Sequence, residues 1–141
     1  MSTQPDKPTR DQVTGRDQHC CAICERYVRA GQWPGLSIHH RLMRSQGTGS
    51  GELHQPSNLL LLCGTGTTGC HGWIHAHPLE AQAYGWLIGM QEPRPPHEIP
   101  VYNHRYGWQL LDETGQATPC PPPEGQPKHP DIDKIIKESH Q

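Results

Sequence analysis

The chain is rich in the two residue types that most often bind zinc and related transition metals. It contains 6 Cys and 11 His among 141 residues, and thiolate and imidazole groups are the ligands that zinc and its neighbours prefer. Five of the cysteines and seven of the histidines lie between residues 18 and 90. A metal centre is therefore the first chemistry that this sequence predicts.

Four of the cysteines have the spacing of a tetrahedral zinc site. Cys21 and Cys24 form a C-x2-C knuckle, in which two thiolates three residues apart can both reach one ion at about 2.3 Å. Cys63 and Cys70 supply the second pair, and three glycines between them permit a sharp return of the chain. The alternatives are Cys20 in place of Cys21 as a ligand, a buried-thiol or redox role for the cysteines, and disulfide bonds.

The composition gives such a site a structural task. Leu, Ile, Val and Phe together supply 22 of 141 residues, below the roughly 20% at which ordinary core formation becomes doubtful. The formal net charge of −2 is too small to indicate a charged, disordered chain. A structural zinc contributes about 10 to 16 kcal/mol of folding free energy in zinc-finger peptides. Cys120, between two prolines, is expected to be a free thiol.

A second set of residues has the pattern of a catalytic metal site. His71 and His75 are four residues apart, which places both imidazoles on one helix face. A third histidine from an earlier strand, His39, completes a three-ligand site with positions open for water and substrate. The adjacent His40 can stay unligated and accept a proton from water, since an imidazole has an ordinary pKa of about 6.5. His77 is a rival ligand.

Local patterns predict the elements that must position these residues. Residues 36–41 and 58–63 are predicted as two β-strands on either side of a Gly- and Ser-rich loop, and residues 70–84 as two short helices. Successive side chains of a strand point to opposite faces, so His39 and His40 share a site only where the strand ends or twists. The predicted order is strand, loop, strand, helix.

The rest of the chain is predicted to surround one compact domain over residues 18–90. Residues 1–17 lack apolar periodicity and are expected to be a flexible N-terminal arm. Residues 91–120 are expected to be a β appendage packed on the core, and the Pro-rich and charged residues 121–141 to be disordered. The predicted fold class is α+β. Because the sequence has no signal peptide and no run of about 18 apolar residues, a cytoplasmic location is expected.

Taken together, these motifs resemble the HNH endonuclease family, whose fold is the small ββα-metal core. The resemblance covers residues 20–77 and looks most like the small zinc-containing members that phages and prophages encode. Many of those members have a shorter second cysteine spacing, and others have Asp at the position of His39. Four segments carry the resemblance, in the family's order: Cys21-x2-Cys24, Ile38-His39-His40-Arg41, Asn58-Leu59-x2-Leu62-Cys63 and Cys70-His71-x3-His75.

The resemblance implies a role for each of these residues. His40 takes the place of the family's general base, and Asn58 that of the residue that holds the active-site loop and orients this base. The implied ligands of one catalytic divalent ion, Mg²⁺, Mn²⁺, Ni²⁺ or Zn²⁺, are His39, His71 and His75, while structural Zn²⁺ occupies the four-cysteine site. The implied activity is hydrolysis of DNA phosphodiester bonds. The implied partners are DNA and phage packaging proteins, with no membrane.

The charge of the chain requires that DNA be bound locally. The formal net charge is −2, yet residues 19–62 contain four arginines and only two glutamates. Arg41 and Arg44 follow the predicted strand that carries the histidines, and they are predicted to contact phosphates. The alternative function is a non-catalytic zinc module that binds nucleic acid or a protein, with structural histidines.

Overall fold

The structure is a computed structural model that describes residues 4–43 and 51–140. Those residues form a small mixed α+β fold with four α-helices and two antiparallel sheets, which confirms the predicted fold class. The helices are α1 (Lys7–Arg16), α2 (Gly69–Ala76), α3 (Pro78–Ala83) and α4 (Asp133–Ser139). The strands are β1 (Leu36–His40), β2 (Leu59–Cys63), β3 (Val101–Asn103), β4 (Gly107–Leu111) and β5 (Ala117–Pro119).

Strands β1 and β2 form a two-stranded sheet that has a predicted cysteine ligand at one end and a predicted catalytic histidine at the other. Leu36 pairs with Cys63 at one end of the sheet, and His40 pairs with Leu59 at the other. All five residues of β2 are buried, as its run of four leucines requires. The predicted strand pair is present, and α2 follows β2 in the predicted order.

The turn between β2 and α2 depends on glycine. Gly64 and Gly69 have φ angles of +90° and +64°, in the left-handed region that favours glycine. A Cβ on Gly64 would also clash with the backbone of Thr68. The turn places Cys70, at the start of α2, against the end of β2, where its N–H donates to the Sγ of Cys63 at 3.4 Å.

The predicted flexible N-terminal arm is wrong for residues 7–16, which form α1. Val13 is buried in the core. Arg16 donates to the carbonyl of Leu59 at 2.6 Å, and the adjacent Asp17 accepts from the N–H of Leu61 at 2.9 Å. Local periodicity could not indicate this packing, because α1 is joined to β2 by polar bonds across more than 40 residues of sequence.

The predicted disordered C-terminal tail is also wrong, because it contains the packed helix α4. Ile135 is buried, and Glu138 accepts from the indole Nε1–H of Trp73 at 2.9 Å. The hydroxyl of Ser139 lies 3.4 Å from the Sγ of Cys70. A seven-residue helix is too short to be stable alone, so α4 depends on its contacts with α2.

The predicted β appendage is a three-stranded sheet in which β4 lies between β3 and β5. Tyr102 and Trp108 of this sheet are buried. The indole of Trp86 donates to the carbonyl of Tyr102 at 2.8 Å, which joins the sheet to the segment after α3. The sequence predicted the first two strands, whereas β5 is too short to give a pattern.

Arg41 has a structural role, so the prediction that it contacts DNA phosphates is wrong. Its side chain is completely buried directly after β1. Burial lowers the pKa of Arg41 to about 9, and hydrogen bonds to backbone carbonyls keep the guanidinium charged at neutral pH. The other predicted phosphate contact, Arg44, lies outside the described residues. The carbonyls that accept from Arg41, at 2.8 to 3.1 Å, are those of Gly85, Ser57, Pro96 and Ile99.

Replacing Arg41 with Ala is expected to lower the free energy of unfolding by about 3 kcal/mol or more, because four buried carbonyls lose their donor. Chemical denaturation measures this change. Arg94→Ala is the matched control, since the Arg94 guanidinium pairs with Glu92 at the surface, and it should change the unfolding free energy by less than about 0.5 kcal/mol. Equal stability of the two variants would contradict the structural role of Arg41.

Candidate metal centres

The four predicted zinc ligands come together at one point. One sulfur from each of them lies within 4.8 Å of all the others, and the Sγ atoms of Cys24 and Cys63 are 3.7 Å apart. Two thiolates at about 2.3 Å from a tetrahedral ion lie about 3.8 Å apart. Every cysteine is a free thiol. The cysteines that can hold a metal ion here are Cys21, Cys24, Cys63 and Cys70.

Backbone geometry positions the knuckle against β2. Glu25 has a left-handed φ of +67° directly after Cys24. Its N–H donates to the carbonyl of Cys21 at 2.9 Å, which closes the turn. The N–H of Ala22 donates to the carbonyl of Leu61 at 3.0 Å. The knuckle is thereby joined to the strand that ends at the third cysteine.

The electrostatics of the cysteine cluster fit a cation. Hydrogen bonds from the other thiols, first that of Cys21, hold the pKa of Cys24 far below its ordinary value. The Cys21 thiol also lowers the pKa of Cys63, to about 7, whereas burial raises the pKa of Cys21 itself. Within the cluster, the pKa values of Cys24 and Cys63 are therefore lowered and those of Cys21 and Cys70 are raised. A bound dication would displace the remaining protons and stabilise every thiolate.

Cys21 belongs to the cysteine cluster and the adjacent Cys20 does not. The Sγ of Cys20 accepts from the guanidinium of Arg105 at 3.5 Å and does not belong to the cluster. Cys120 also lies outside the cluster, where its N–H donates to the carbonyl of Trp108 at 3.0 Å. Cys20 and Cys120, which are not among the four predicted zinc ligands, therefore both lie outside the cluster.

Substituting Cys24 or Cys70 with Ser is expected to release a tightly held metal and unfold the chain, because the small core cannot maintain the fold alone. Elemental analysis and circular dichroism measure the two effects. Cys120→Ser is the control, and it should retain the metal and change stability by less than about 1 kcal/mol. An intact fold in strong chelator, or equal loss of stability in all three variants, would contradict the assignment.

The three predicted ligands of the second ion also come together. His39, His71 and His75 each offer a ring nitrogen within 4.8 Å of the other two. The Nε2 atoms of His71 and His75 are 3.1 Å apart, close to the roughly 3.3 Å expected for two nitrogens at about 2.05 Å from one tetrahedral ion. The ring of His39 lies edge-on to both, with centroids 5.1 and 5.9 Å away.

The surroundings of these imidazoles fit ion binding. The Nε2–H of His39 donates to the carbonyl of Trp86 at 2.7 Å, which leaves Nδ1 unprotonated and able to bind an ion. The ring nitrogen of His71 that is placed to bind an ion is Nε2, which faces the Nε2 of His75, while its buried Nδ1 has no hydrogen-bond partner among the described residues. Burial lowers the pKa of His39 to about 3 and that of His71 to about 4. Both rings are therefore neutral at neutral pH, the form in which imidazole binds metal ions.

His40 lies beside the ligand group and lines the same cleft of about 550 Å³. Because β1 ends at His40, the two adjacent histidines reach one site despite the alternation of a strand. The Nε2 of His40 is 3.2 Å from the Nδ1 of His54, at the end of the short 3₁₀ helix Gly51–His54. The sequence analysis missed His54, because a lone histidine after a Gly- and Ser-rich loop carries no local signal.

Asn58 is buried and holds both ends of the loop that follows β1. Its Oδ1 accepts from the N–H of Leu42 at 2.7 Å, and its Nδ2 donates to the carbonyls of Leu42 and Leu53 at 3.2 and 3.0 Å. His54 directly follows Leu53, so Asn58 determines where the neighbour of His40 lies. The family resemblance implies that Asn58 holds the active-site loop, and this role stays a prediction.

Helix α1 supplies a basic residue that the sequence analysis missed. Among the described residues that line the cleft, Arg10 is the only arginine or lysine. It was overlooked because the N-terminal residues were expected to be a flexible arm. His77, the rival ligand, lies outside the group: its Nδ1–H donates to the carbonyl of Trp73 at 3.0 Å, and its ring stacks on that indole.

Comparisons with protein-family models, with curated proteins and with solved structures found no significant match to this chain. Within residues 4–43 and 51–140, no helix has the length and apolar character needed to cross a membrane. The two groups of possible metal ligands and the cleft are therefore the features of this chain that point to a function.

Binding of a second ion is expected to depend on His71 and not on His77. Isothermal titration of the zinc-loaded protein with Ni²⁺ or Mn²⁺ should show one site that His71→Ala or His39→Ala weakens at least about tenfold, by analogy with the effect of disturbing a metal shell. His77→Ala is the matched control from the end of the same helix and should bind as the wild type does. Loss of the site in the control variant would contradict the assignment.

Proposed function

We propose that the protein is a metal-dependent endonuclease of the HNH type, which hydrolyses DNA phosphodiester bonds. In this proposal β1, β2 and α2 are the ββα-metal core. The observation that carries it is that three histidines within 4.8 Å of one another share a cleft with a fourth, His40, that lies outside their ligand group. A merely structural metal site has no use for open coordination positions beside a further imidazole.

The two ligand groups fit two different ions. Four thiolates at tetrahedral spacing are typical of structural zinc, so we assign Zn²⁺ to the cysteine cluster. Three neutral imidazoles suit Mn²⁺, Ni²⁺ or Zn²⁺ better than Mg²⁺, which prefers oxygen ligands. When bound, this second ion would polarise the scissile phosphate and stabilise negative charge on the departing 3′ oxygen.

The remaining groups of the cleft have complementary tasks. His40 would take a proton from the attacking water as general base, a contribution of about 10² to 10⁴ in rate. His54, within hydrogen-bond distance of His40, would orient that ring, and Asn58 would hold the loop that carries His54. Arg10 would contact a phosphate beside the cut, the role that the sequence predicted for Arg41.

The proposed biological setting follows from the family resemblance alone. It comprises DNA as substrate, a phage or prophage origin, packaging proteins as partners and action in the host cytoplasm. A net charge of −2 argues against a broad DNA-binding face. Local contacts, with a marked dependence on salt, would therefore hold the DNA.

The test of this function is nicking of supercoiled plasmid in the presence of Mg²⁺, Mn²⁺, Ni²⁺ or Co²⁺. His40→Ala should lower the cleavage rate by about 100-fold or more, because the proton acceptor is lost. It should keep the fold, both ions and DNA binding. His129→Ala, at an exposed histidine far along the chain, is the control and should cleave at the wild-type rate.

Two results would contradict the proposal. If His40→Ala cleaved DNA at the wild-type rate, His40 would not be the general base. Absence of cleavage with every ion, together with retained DNA binding, would support the alternative of a non-catalytic zinc module that binds nucleic acid.

A further inference from the structure

A patch of exposed aromatic and arginine side chains follows the cysteine knuckle and does not belong to the metal cleft. Trp33 is 86% exposed, and Tyr27 is 53% exposed. The guanidinium of Arg26 lies over the ring of Trp33 at 4.9 Å, and that of Arg29 lies over the ring of Tyr27 at 5.1 Å. These four residues and Arg105 are named here the aromatic–arginine patch.

Several contacts join parts of this patch to the neighbouring chain. The ring of His19 stacks on that of Tyr27, with centroids 5.7 Å apart. Tyr27 pairs with Cys20 in an isolated β-bridge, and the Sγ of Cys20 accepts from Arg105 at 3.5 Å. The N–H of Gln32 donates to the carbonyl of Arg29 at 3.3 Å. The chain therefore turns back after Arg29.

The exposure of Trp33 has no explanation in the packing of the fold. The chain has four tryptophans, and the other three, Trp73, Trp86 and Trp108, are all buried. In a protein with so few apolar residues, an indole left in water forgoes a large burial energy. An exposed indole under a guanidinium is instead typical of a surface that receives another planar group.

The charge of the patch is positive. None of the ion pairs among the described residues involves Arg26, Arg29 or Arg105. Arg26 also lies 3.1 Å from the Nδ1 of His140. Glu25 is the only acidic residue between residues 18 and 40, a segment that also contains Arg26 and Arg29. Exposed rings between cations that form no ion pair are complementary to a ligand that offers flat bases and phosphates.

We propose that the aromatic–arginine patch binds single-stranded DNA, with a base stacked on Trp33 and phosphates on the arginines. The inference rests on the proposed function in naming DNA as the ligand, and it narrows the substrate to DNA with unpaired bases near the cut. A continuous duplex would offer phosphates to the arginines. Its bases, however, are stacked on one another and would leave Trp33 without a partner.

The path of the chain sets an upper limit on the distance from the patch to the cleft. Trp33 and His40 are seven positions apart, and the last five of the seven residues after Trp33 form β1. An extended chain of seven residues spans at most about 25 Å. The unpaired segment is therefore expected within roughly seven nucleotide steps of 3.4 Å from the cleaved bond.

The test measures binding of a labelled oligothymidine of about 20 nucleotides, longer than the roughly 4 to 16 that one single-strand site covers. Fluorescence anisotropy is recorded with the zinc-loaded His40→Ala protein, so that no cleavage interferes. Adding Trp33→Ala should weaken binding about tenfold, and Trp33→Phe should retain most of it. Leu79→Ala, at an apolar side chain that is 80% exposed elsewhere, is the matched control and should have no effect.

A second arm separates stacking from charge. Arg26→Ala should weaken the oligothymidine and a matched duplex together and should reduce the slope of log affinity against log salt by about one. Trp33→Ala should affect the single strand much more than the duplex. Because Trp33 is exposed, Trp33→Ala is expected to unfold at the wild-type temperature, and thermal denaturation checks this. Arg26→Ala also removes the contact with His140, so its affinities are compared at a temperature where thermal denaturation shows it to be folded.

The outcomes distinguish this inference from the proposed function. If the protein nicks plasmid but Trp33→Ala binds oligothymidine as tightly as the parent protein, the proposal for the patch is wrong and the nuclease proposal stands. The patch would then suit a protein partner. Binding of oligothymidine that depends on Trp33, without any DNA cleavage, would overturn the nuclease and keep the patch. Failure of the wild-type chain to bind oligothymidine would also overturn the patch.

Discussion

The position of the histidine group depends on the point at which α2 begins. Cys70 and His71 are adjacent on that helix, so an ion held by the cysteine cluster also determines where the first helical histidine lies. The glycine turn after β2 makes this possible, because Gly64 and Gly69 let the helix start directly against the end of the strand. An ion bound by the cysteine cluster and an ion bound by the histidine group would thereby be coupled through one peptide bond.

A chain with so few large apolar residues supplements its core with buried polar bonds. Arg41 is bonded to four carbonyls from three segments, and Asn58 joins the two ends of one loop. Arg16 and Asp17 attach α1 to β2 in the same manner. Such bonds are directional, so they fix the relative placement of short elements that burial alone would leave loosely defined.

In the two proposals, separate surfaces would supply the positive charge that binds DNA. Arg10 brings one cation into the histidine cleft, whereas Arg26, Arg29 and Arg105 lie with exposed rings beyond the start of β1. Arg41, the cation closest in sequence to the histidines, contributes to neither surface because its charge is satisfied inside the protein. Proximity in sequence to a site is therefore a poor guide to which cation serves it.

The sequence by itself determined the α+β class, the strand pair, the helix after it and both groups of possible metal ligands. The spacing of the cysteines and histidines and the run of leucines in β2 are local patterns that a sequence shows directly. The sequence did not determine α1, α4, the burial of Arg41, or the places of Arg10 and His54. Each of these depends on contacts between residues far apart in sequence, and short helices with one or two buried apolar side chains leave no periodic signal. The exposure of Trp33 likewise became visible only in the tertiary structure, because the sequence does not show whether a single tryptophan is buried or exposed.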